Sequence, residues 1–541
     1  MEAPSAPLAF PRLARAQWAL LAALFVVAFA LTLATSDDYG PTYDEPHYAS
    51  AGLRYADWWA RLFRGDLSAL QRAQIESTWT LNHEHPPLQK CSSGFSQRWF
   101  GSLLPGLAAI RLPSALWFAL TICALYLFTR SLWGRRGALF SALAFATLPR
   151  IVAHAHFVAL DMPITAWFFI TTALAATALR RASWPYAVLA GVSFGLALMS
   201  KINAFFLPIL LLPWGLAYYP RQWLKLLALL LIGPAVFVFG WPWLWIDFLP
   251  HLRAYLAFHF AHAAYNVWYL GKLYPYAPWH YPFVMTAVTT PTLILALTIL
   301  GIVRAFCRTR FDPNRALLLF GLAIAIIPSA LPSTPKYNGV RLFLPAFPFL
   351  AALAGGGFAW AQERAAKLAK AGSPDRKRMS ALLAVALGAL LLLPGFTGAV
   401  RTHPYQLAYY NALVGGTKGA AEKGFETIYW GQVFQDAPLF LNRIQEPAPL
   451  VLLIPKGVIY LLEFQRQTGV LRSDVRFTGD AGEAARADYV MFQAMQSDYT
   501  DLCWALVKGA EPVFEVEVEG TPLLLVYDRR ALLAGLSSSP R

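Results

Sequence analysis

Two adjacent acids, Asp44 and Glu45 in PTYDEPHY, stand a few residues beyond the first strongly apolar segment of the chain. Further on, Asn82, His83, Glu84 and His85 precede Pro86 and Pro87, a pair that fixes an extended backbone and can hold neighbouring side chains toward a site. The stretch HAHFVALDMP carries His154, His156 and Asp161, the turn MSKIN carries Lys201, and STPKYNGVRLFLP carries Lys336 and Arg341. Carboxylates, imidazoles and cations gathered in one place suit displacement of an anionic leaving group. A carboxylate takes the proton of an attacking hydroxyl, and fixed cations stabilise a departing phosphate. Each residue also has a plainer reading. Adjacent acids can mark a solvated boundary, Asp161 ahead of Met162-Pro163 can cap a helix, and Lys201 can snorkel from a helix end.

These residues are positioned by a membrane. Of the 541 residues 57% are hydrophobic and only 14% charged, which excludes an ordinary soluble domain. Segments near the length that spans the hydrocarbon core occur at 18–33, 112–128, 138–152, 162–179, 186–199, 202–218, 226–245, 282–303, 316–331, 342–360 and 382–400, about eleven in all. Alternate loops carry Arg12/Arg15, Arg130/Arg135/Arg136, Arg180/Arg181, Arg221/Lys225, Arg304/Arg308/Arg310/Arg315 and the basic run 364–378. Such loops stay in the cytoplasm, so the N-terminus is expected inside and residues 401–541 outside. On this topology all ten histidines, His47, His83, His85, His154, His156, His251, His259, His262, His280 and His403, fall on the outer side. Lys336 and Arg341 also lie there, against the charge trend, which points to an anionic ligand. The net charge of +15 then largely reflects the inner loops, and no basic soluble face suggests nucleic acid.

Two outer segments, 35–111 and 247–281, are too long to be connectors. Within the first, 48–70 has helical spacing with Trp and Phe on one side and Arg54, Arg61 and Arg64 on another, as expected of a helix lying in the membrane interface. The second is crowded with Trp, Tyr and His, residues suited to headgroup depth. Gly355–Gly357 lies inside a span and reads as a close-packing site. Beyond residue 400, short apolar runs at 450–454, 489–492, 513–518 and 523–526 alternate with turn-rich stretches, which suggests a small α/β domain. Cys91, Cys123, Cys307 and Cys503 have no metal-type spacing; Cys91 and Cys503, both outside, read as unpaired thiols rather than a bridge.

The ordered set DEPHY after the first span, HPPL in the first outer loop, LDMP before the fourth span, LMSK after the fifth and VRLFLPAFP at a later one resembles the polyprenyl-phosphate-dependent glycosyltransferases of the GT-C fold. Protein O-mannosyltransferases and lipid A aminoarabinose transferases are the nearest in pattern, over roughly residues 17–360, and HPYQLAYYNALVGG with the later YWGQ is similar to the segment that follows the last span in bacterial members. The resemblance implies an α-helical polytopic membrane protein in which residues 1–400 form a GT-C-like catalytic domain and 401–541 an extracytoplasmic α/β domain. It implies inverting transfer of a sugar from a polyprenyl-phosphate donor to a lipid, protein or glycan hydroxyl at the outer face of a bacterial inner membrane. Carried over by motif, Asp44 would be the base, Glu45 its support and Asp161 a cavity carboxylate. Lys201 and Arg341, with Lys336 and His85, would be the donor-phosphate partners. The family often has Lys where this chain has His85, so a phosphate contact there requires a charged imidazole.

The chemistry requires no cofactor, because a lipid phosphate leaves readily in a single displacement. A divalent metal stays open, with His83, Glu84, His85, His154 and His156 as candidate ligands. Two other classes share the polar residues: a polysaccharide ligase or polymerase using a lipid-diphosphate donor, and a secondary transporter. The one-sided clustering and the large outer loops favour transfer over transport.

Overall fold

The computed structural model describes residues 14–260, 265–306, 312–332, 334–368 and 376–538; Arg12, His262, Cys307, Arg308, Arg310 and part of the basic run 364–378 lie outside the described residues. In hydrocarbon every backbone amide must bond within its own segment, and the apolar runs accordingly form helices. Among the described residues, five helices are long and apolar enough to cross a membrane: Arg15–Asp38, Ala108–Ala146, Asp161–Arg180, Pro313–Ala330 and Ala381–Arg401. Shorter apolar helices occupy Trp184–Leu198, Ile202–Tyr218, Leu224–Gly240 and Thr292–Phe306.

The expected spans all fall on helical segments, with boundaries redrawn by glycine and proline. Ala108–Ala146 holds two of them end to end, broken where Gly134 adopts φ +70°, a conformation easy only without a Cβ. The second of these ends at Ala146, and a separate turn, Pro149–His154, begins at a proline. The expected span 282–303 is two helices, Tyr281–Thr289 and Thr292–Phe306, since Pro291 drives Thr290 into an extended conformation.

Gly355 and Gly357 let the helix Ala346–Leu368 approach its neighbours as expected. A Cβ on Gly355 would lie 1.9 Å from Ser141 Oγ, and one on Gly357 2.1 Å from the Leu297 carbonyl oxygen. The helix expected to lie in the interface runs over Glu45–Phe63, but its tryptophans face inward. Trp58 and Trp59 are buried and pack edge-on against Trp79 and Trp245. Phe63, Leu67 and Leu70 are the exposed apolar residues at its end.

Two sheets form among the described residues. A hairpin in the segment 247–281 pairs β1 (Val267–Tyr269) with β2 (Lys272–Tyr274). The larger sheet comprises β3 (Leu450–Ile454), β4 (Arg476–Thr478), β5 (Tyr489–Gln493), β6 (Phe514–Val518) and β7 (Thr521–Asp528), in the order β4-β3-β5-β7-β6. β3 is parallel to β4 and β5, and β7 is antiparallel to β5 and β6. Side chains alternate across the strands: Leu452, Val490 and Phe492 pack against the helix Asp501–Gly509, while Val451, Leu453 and Met491 face the other way. That second face shares its apolar cluster with Tyr39, Ala153, Phe157 and Ala159. The C-terminal region is thereby packed onto the segment 35–111 and the loop after the second long helical run.

Candidate functional site

Asp44 immediately precedes the helix Glu45–Phe63, yet its side chain caps no backbone amide. The carboxylate turns instead toward Arg341, with which it forms an ion pair. Arg341 opens the short turn Arg341–Phe343, and the chain reaches it through Asn338 and Gly339, both with positive φ. Its Nε also donates to Asp161 Oδ2 at 2.9 Å, while Lys201 Nζ donates to Asp161 Oδ1 at 2.7 Å. Asp161 is the first residue of its helix and Leu160 the cap, so the carboxylate is held by two cations rather than by capping, at a helix end that favours negative charge. Four residues separated widely in sequence thus form one continuous network of two acids and two cations.

The two acids differ in access. The Asp161 side chain is fully buried, whereas that of Asp44 is 29% exposed. Asp44 Oδ2 takes both the Arg341 pair and a 3.0 Å bond from the Trp430 indole N–H. The Arg341 guanidinium lies 4.2 Å from the centre of the Trp430 ring, a cation–π contact. Trp430, in the YWGQ segment, was not distinguished as a site residue by the sequence.

Glu45 is adjacent to Asp44 but occupied otherwise. Its oxygens accept from Arg111 Nε and Nη2 at 2.8 and 2.7 Å, from the Thr42 amide at 2.8 Å and from the Val158 amide at 2.8 Å. Arg111 also donates to the carbonyls of Ser36, Tyr39 and Gly40. This buried pair ties the loop after the first helix to the helix Ala108–Ala146 and to residue 158. Glu45 therefore acts as a brace for Asp44, with no lone pair directed at a substrate. Arg111 is a second residue missed in the sequence, where it stood as the end of an outer loop.

The remaining candidates go to several places. His85 is half-buried near Lys201 and Arg341, and desolvation together with Lys90 holds its imidazole well below the usual range. A neutral ring supplies a donor or an acceptor but no charge, and its Nδ1 has no hydrogen-bond partner. Lys90 donates to the Asn82 carbonyl at 2.6 Å, to Asn82 Oδ1 at 3.0 Å and to the His85 carbonyl at 2.7 Å. It organises the loop before the paired prolines, and burial pulls its ammonium down to about 7. The Leu88 amide donates to the Met199 carbonyl at 2.9 Å, which brings that loop beside the Lys201 turn.

Lys336 stands apart from the other cations. Its ammonium donates to the carbonyls of Leu331 and Thr334 at 2.6 and 3.0 Å and reaches that of Pro332 at 3.5 Å, so it neutralises the end of the helix Pro313–Ala330 instead of joining the network. The candidate metal ligands also separate. His83 Nδ1 bonds the Thr80 carbonyl at 2.7 Å and its ring lies on Trp243, while Glu84 accepts from Asn82 at 2.7 Å. His156 is held between Thr35 at 2.9 Å and the Val152 carbonyl at 2.7 Å, stacked on Tyr39. His154 sits beside Tyr429 and Trp430. Among the described residues no three His, Cys, Asp or Glu side chains form a group able to hold a metal ion.

One acid with an open edge, paired with cations that are themselves fixed by a buried acid, can accept a proton while negative charge develops nearby. Several solved structures overlap most of the chain. ArnT from Cupriavidus metallidurans bound to undecaprenyl phosphate is 17% identical, with 95% of this chain and 98% of that one covered and a TM-score of 0.49. The archaeal oligosaccharyltransferase AglB from Archaeoglobus fulgidus, in complex with an inhibitory peptide and a dolichol-phosphate, is 12% identical, with 89% and 70% covered and a TM-score of 0.46. No curated protein matches the sequence. By sequence, residues 84–246, the stretch that carries Glu84, His85, Asp161 and Lys201, match the family of dolichyl-phosphate-mannose-protein mannosyltransferases.

Proposed function

We propose that this protein is an integral-membrane glycosyltransferase that moves a sugar from a polyprenyl-phosphate donor to an acceptor hydroxyl at the outer face of the membrane. The observation that carries the reading is the network Asp44–Arg341–Asp161–Lys201, supported by the family match over 84–246. In the step itself, the acceptor oxygen attacks the anomeric carbon as its proton passes to the open edge of Asp44. The bond from that carbon to the phosphate oxygen breaks, and its electron pair leaves on polyprenyl phosphate, whose charge faces Lys201 and Arg341. A single displacement inverts the anomeric carbon and needs no covalent intermediate.

Asp161 holds both cations in place, so they approach the phosphate as fixed charges rather than as flexible side chains. Lipid, protein or glycan hydroxyls are the acceptor class, and the cations of the network face the charge that develops on the departing phosphate. The orientation that fits is a cytoplasmic N-terminus with residues 401–541 outside, in a bacterial inner membrane.

The test is purified protein in lipid nanodiscs with a panel of polyprenyl-phosphate sugars and crude envelope extract as acceptor. Release of free polyprenyl phosphate is followed by mass spectrometry for wild type and Asp44→Asn. Release by wild type alone is the expected result. No release from any donor overturns the proposal.

A further inference from the structure

The segment before Asp44 is held by the C-terminal region at three points. The Tyr43 amide donates to the Trp430 carbonyl at 3.0 Å, Tyr460 Oη donates to the Tyr43 carbonyl at 2.5 Å, and Gln493 Nε2 donates to Tyr43 Oη at 2.6 Å. These partners come from the YWGQ turn, the helix Ile459–Gln467 and strand β5. The backbone that presents Asp44 is therefore set by residues roughly four hundred positions later in the chain.

Trp430 adds control of the side chain. It is 1% exposed and adopts φ +77°, a left-handed conformation that costs a bulky residue free energy and persists only where the surroundings enforce it. Gly431 follows with φ +78°, and a Cβ there would lie 2.4 Å from the Tyr43 ring. The rings of His154 and Phe157 pack on the indole at 5.2 and 5.5 Å. This enclosure fixes the plane of the indole, so that its N–H reaches Asp44 Oδ2 while its face lies over Arg341.

We propose that Trp430 is a positioning residue of the reaction centre, contributed by the C-terminal region, whose N–H holds Asp44 Oδ2 and leaves Oδ1 as the edge presented to the acceptor hydroxyl. The inference rests on the reading of Asp44 as the base. An unrestrained carboxylate would rotate about its terminal bond and bring either oxygen to Arg341. With Oδ2 shared between a guanidinium and an indole N–H, rotation breaks two charge-assisted bonds at once.

The test replaces Trp430 with 3-benzothienylalanine, an isostere in which sulfur stands for N–H and the ring face is kept, beside Trp430→Phe. Both are measured in the wild-type and Asp44→Asn backgrounds. Loss of one hydrogen bond to a charged group lowers kcat about ten- to a hundredfold, with the donor KM within about twofold, and neither replacement lowers turnover further once Asp44 is Asn, since residues acting as a unit are not additive. A kcat within about twofold of wild type for the isostere, beside an inactive Asp44→Asn, overturns the role of Trp430 alone. A changed KM or melting temperature with unchanged kcat does the same, because it marks a merely structural role. Normal turnover of Asp44→Asn removes the base, and the role of Trp430 with it.

Discussion

Asp44 and Glu45 are neighbours in sequence, both carboxylates and both paired with an arginine, but they occupy opposite kinds of environment. The Glu45 oxygens are saturated by Arg111 and two backbone amides in a buried setting. Asp44 shares one oxygen between Arg341 and Trp430 and keeps a 29% exposed side chain. The difference teaches that an ion pair alone marks neither chemistry nor architecture. A saturated buried carboxylate braces the loop that carries it, whereas a restrained and partly open one can exchange a proton.

The comparison is broken most severely at Asp44. Asp44→Asn keeps the shape of the side chain, and loss of a general base costs roughly a thousandfold or more in turnover, near the upper part of its usual range, while the melting temperature changes little. Near-normal sugar transfer in that variant would put Asp44 in the same structural class as Glu45.

The counterpart is Glu45→Gln, which leaves the Arg111 guanidinium buried without its countercharge. Breaking one partner of a buried pair costs about 3–5 kcal/mol, so the expected outcome is a large drop in thermal stability, with donor affinity retained by the protein that remains folded. Unchanged melting together with lost turnover would reverse the two assignments.

Lys201→Ala sharpens the comparison on the donor side. One charge-assisted contact to phosphate is worth about ten- to a hundredfold in affinity, and the expectation is that donor KM rises by that factor while acceptor KM holds. Equal changes in both would make Lys201 a structural partner of Asp161.

A weaker and pH-dependent effect belongs to Glu426, which accepts from the Ser497 amide at 2.9 Å where the C-terminal region meets the hairpin segment. Burial raises its carboxyl to about 8 from an ordinary 4.5. A carboxyl raised on folding contributes stability that is fully present below about 4.5 and is lost as pH rises to about 8. The melting temperature is expected to fall across that window and then level off, and Glu426→Gln to flatten the profile. A wild-type profile flat from pH 5 to about 8 would contradict this sign. The smallest effect is that of Lys336→Met, with donor KM within about twofold because its ammonium is spent on carbonyls.

Much of this contrast was legible from the residues. Asp44, Asp161, Lys201 and Arg341 stood out because charged groups beside apolar spans are costly and need partners, and the structure joins all four. Lys336 satisfied the same criterion for another reason, since a lysine serving a helix end and a lysine facing a ligand look alike in sequence. Trp430 stood inside the YWGQ motif but was not distinguished as a site residue among 19 tryptophans, because its role depends on a contact 386 positions away. The helices followed from apolar length, whereas their breaks at Gly134, Pro149 and Pro291 needed local geometry. The amphipathic pattern of 48–70 predicted a helix, and the structure buries its Trp58 and Trp59 against other tryptophans, since tryptophan suits a protein core as well as a headgroup layer.

The long reach of the network has a consequence for synthesis. Asp44 emerges from the ribosome early, but Arg341 follows 297 residues later and Trp430 386 residues later. A nascent chain holding only the first acid has neither its cation nor its indole clamp, so the centre is completed near the end of translation. Premature chains that stop after the last long helix at Arg401 would hold Asp44 against Arg341 but lack the indole clamp, and competence would arrive as a single late event instead of accumulating span by span.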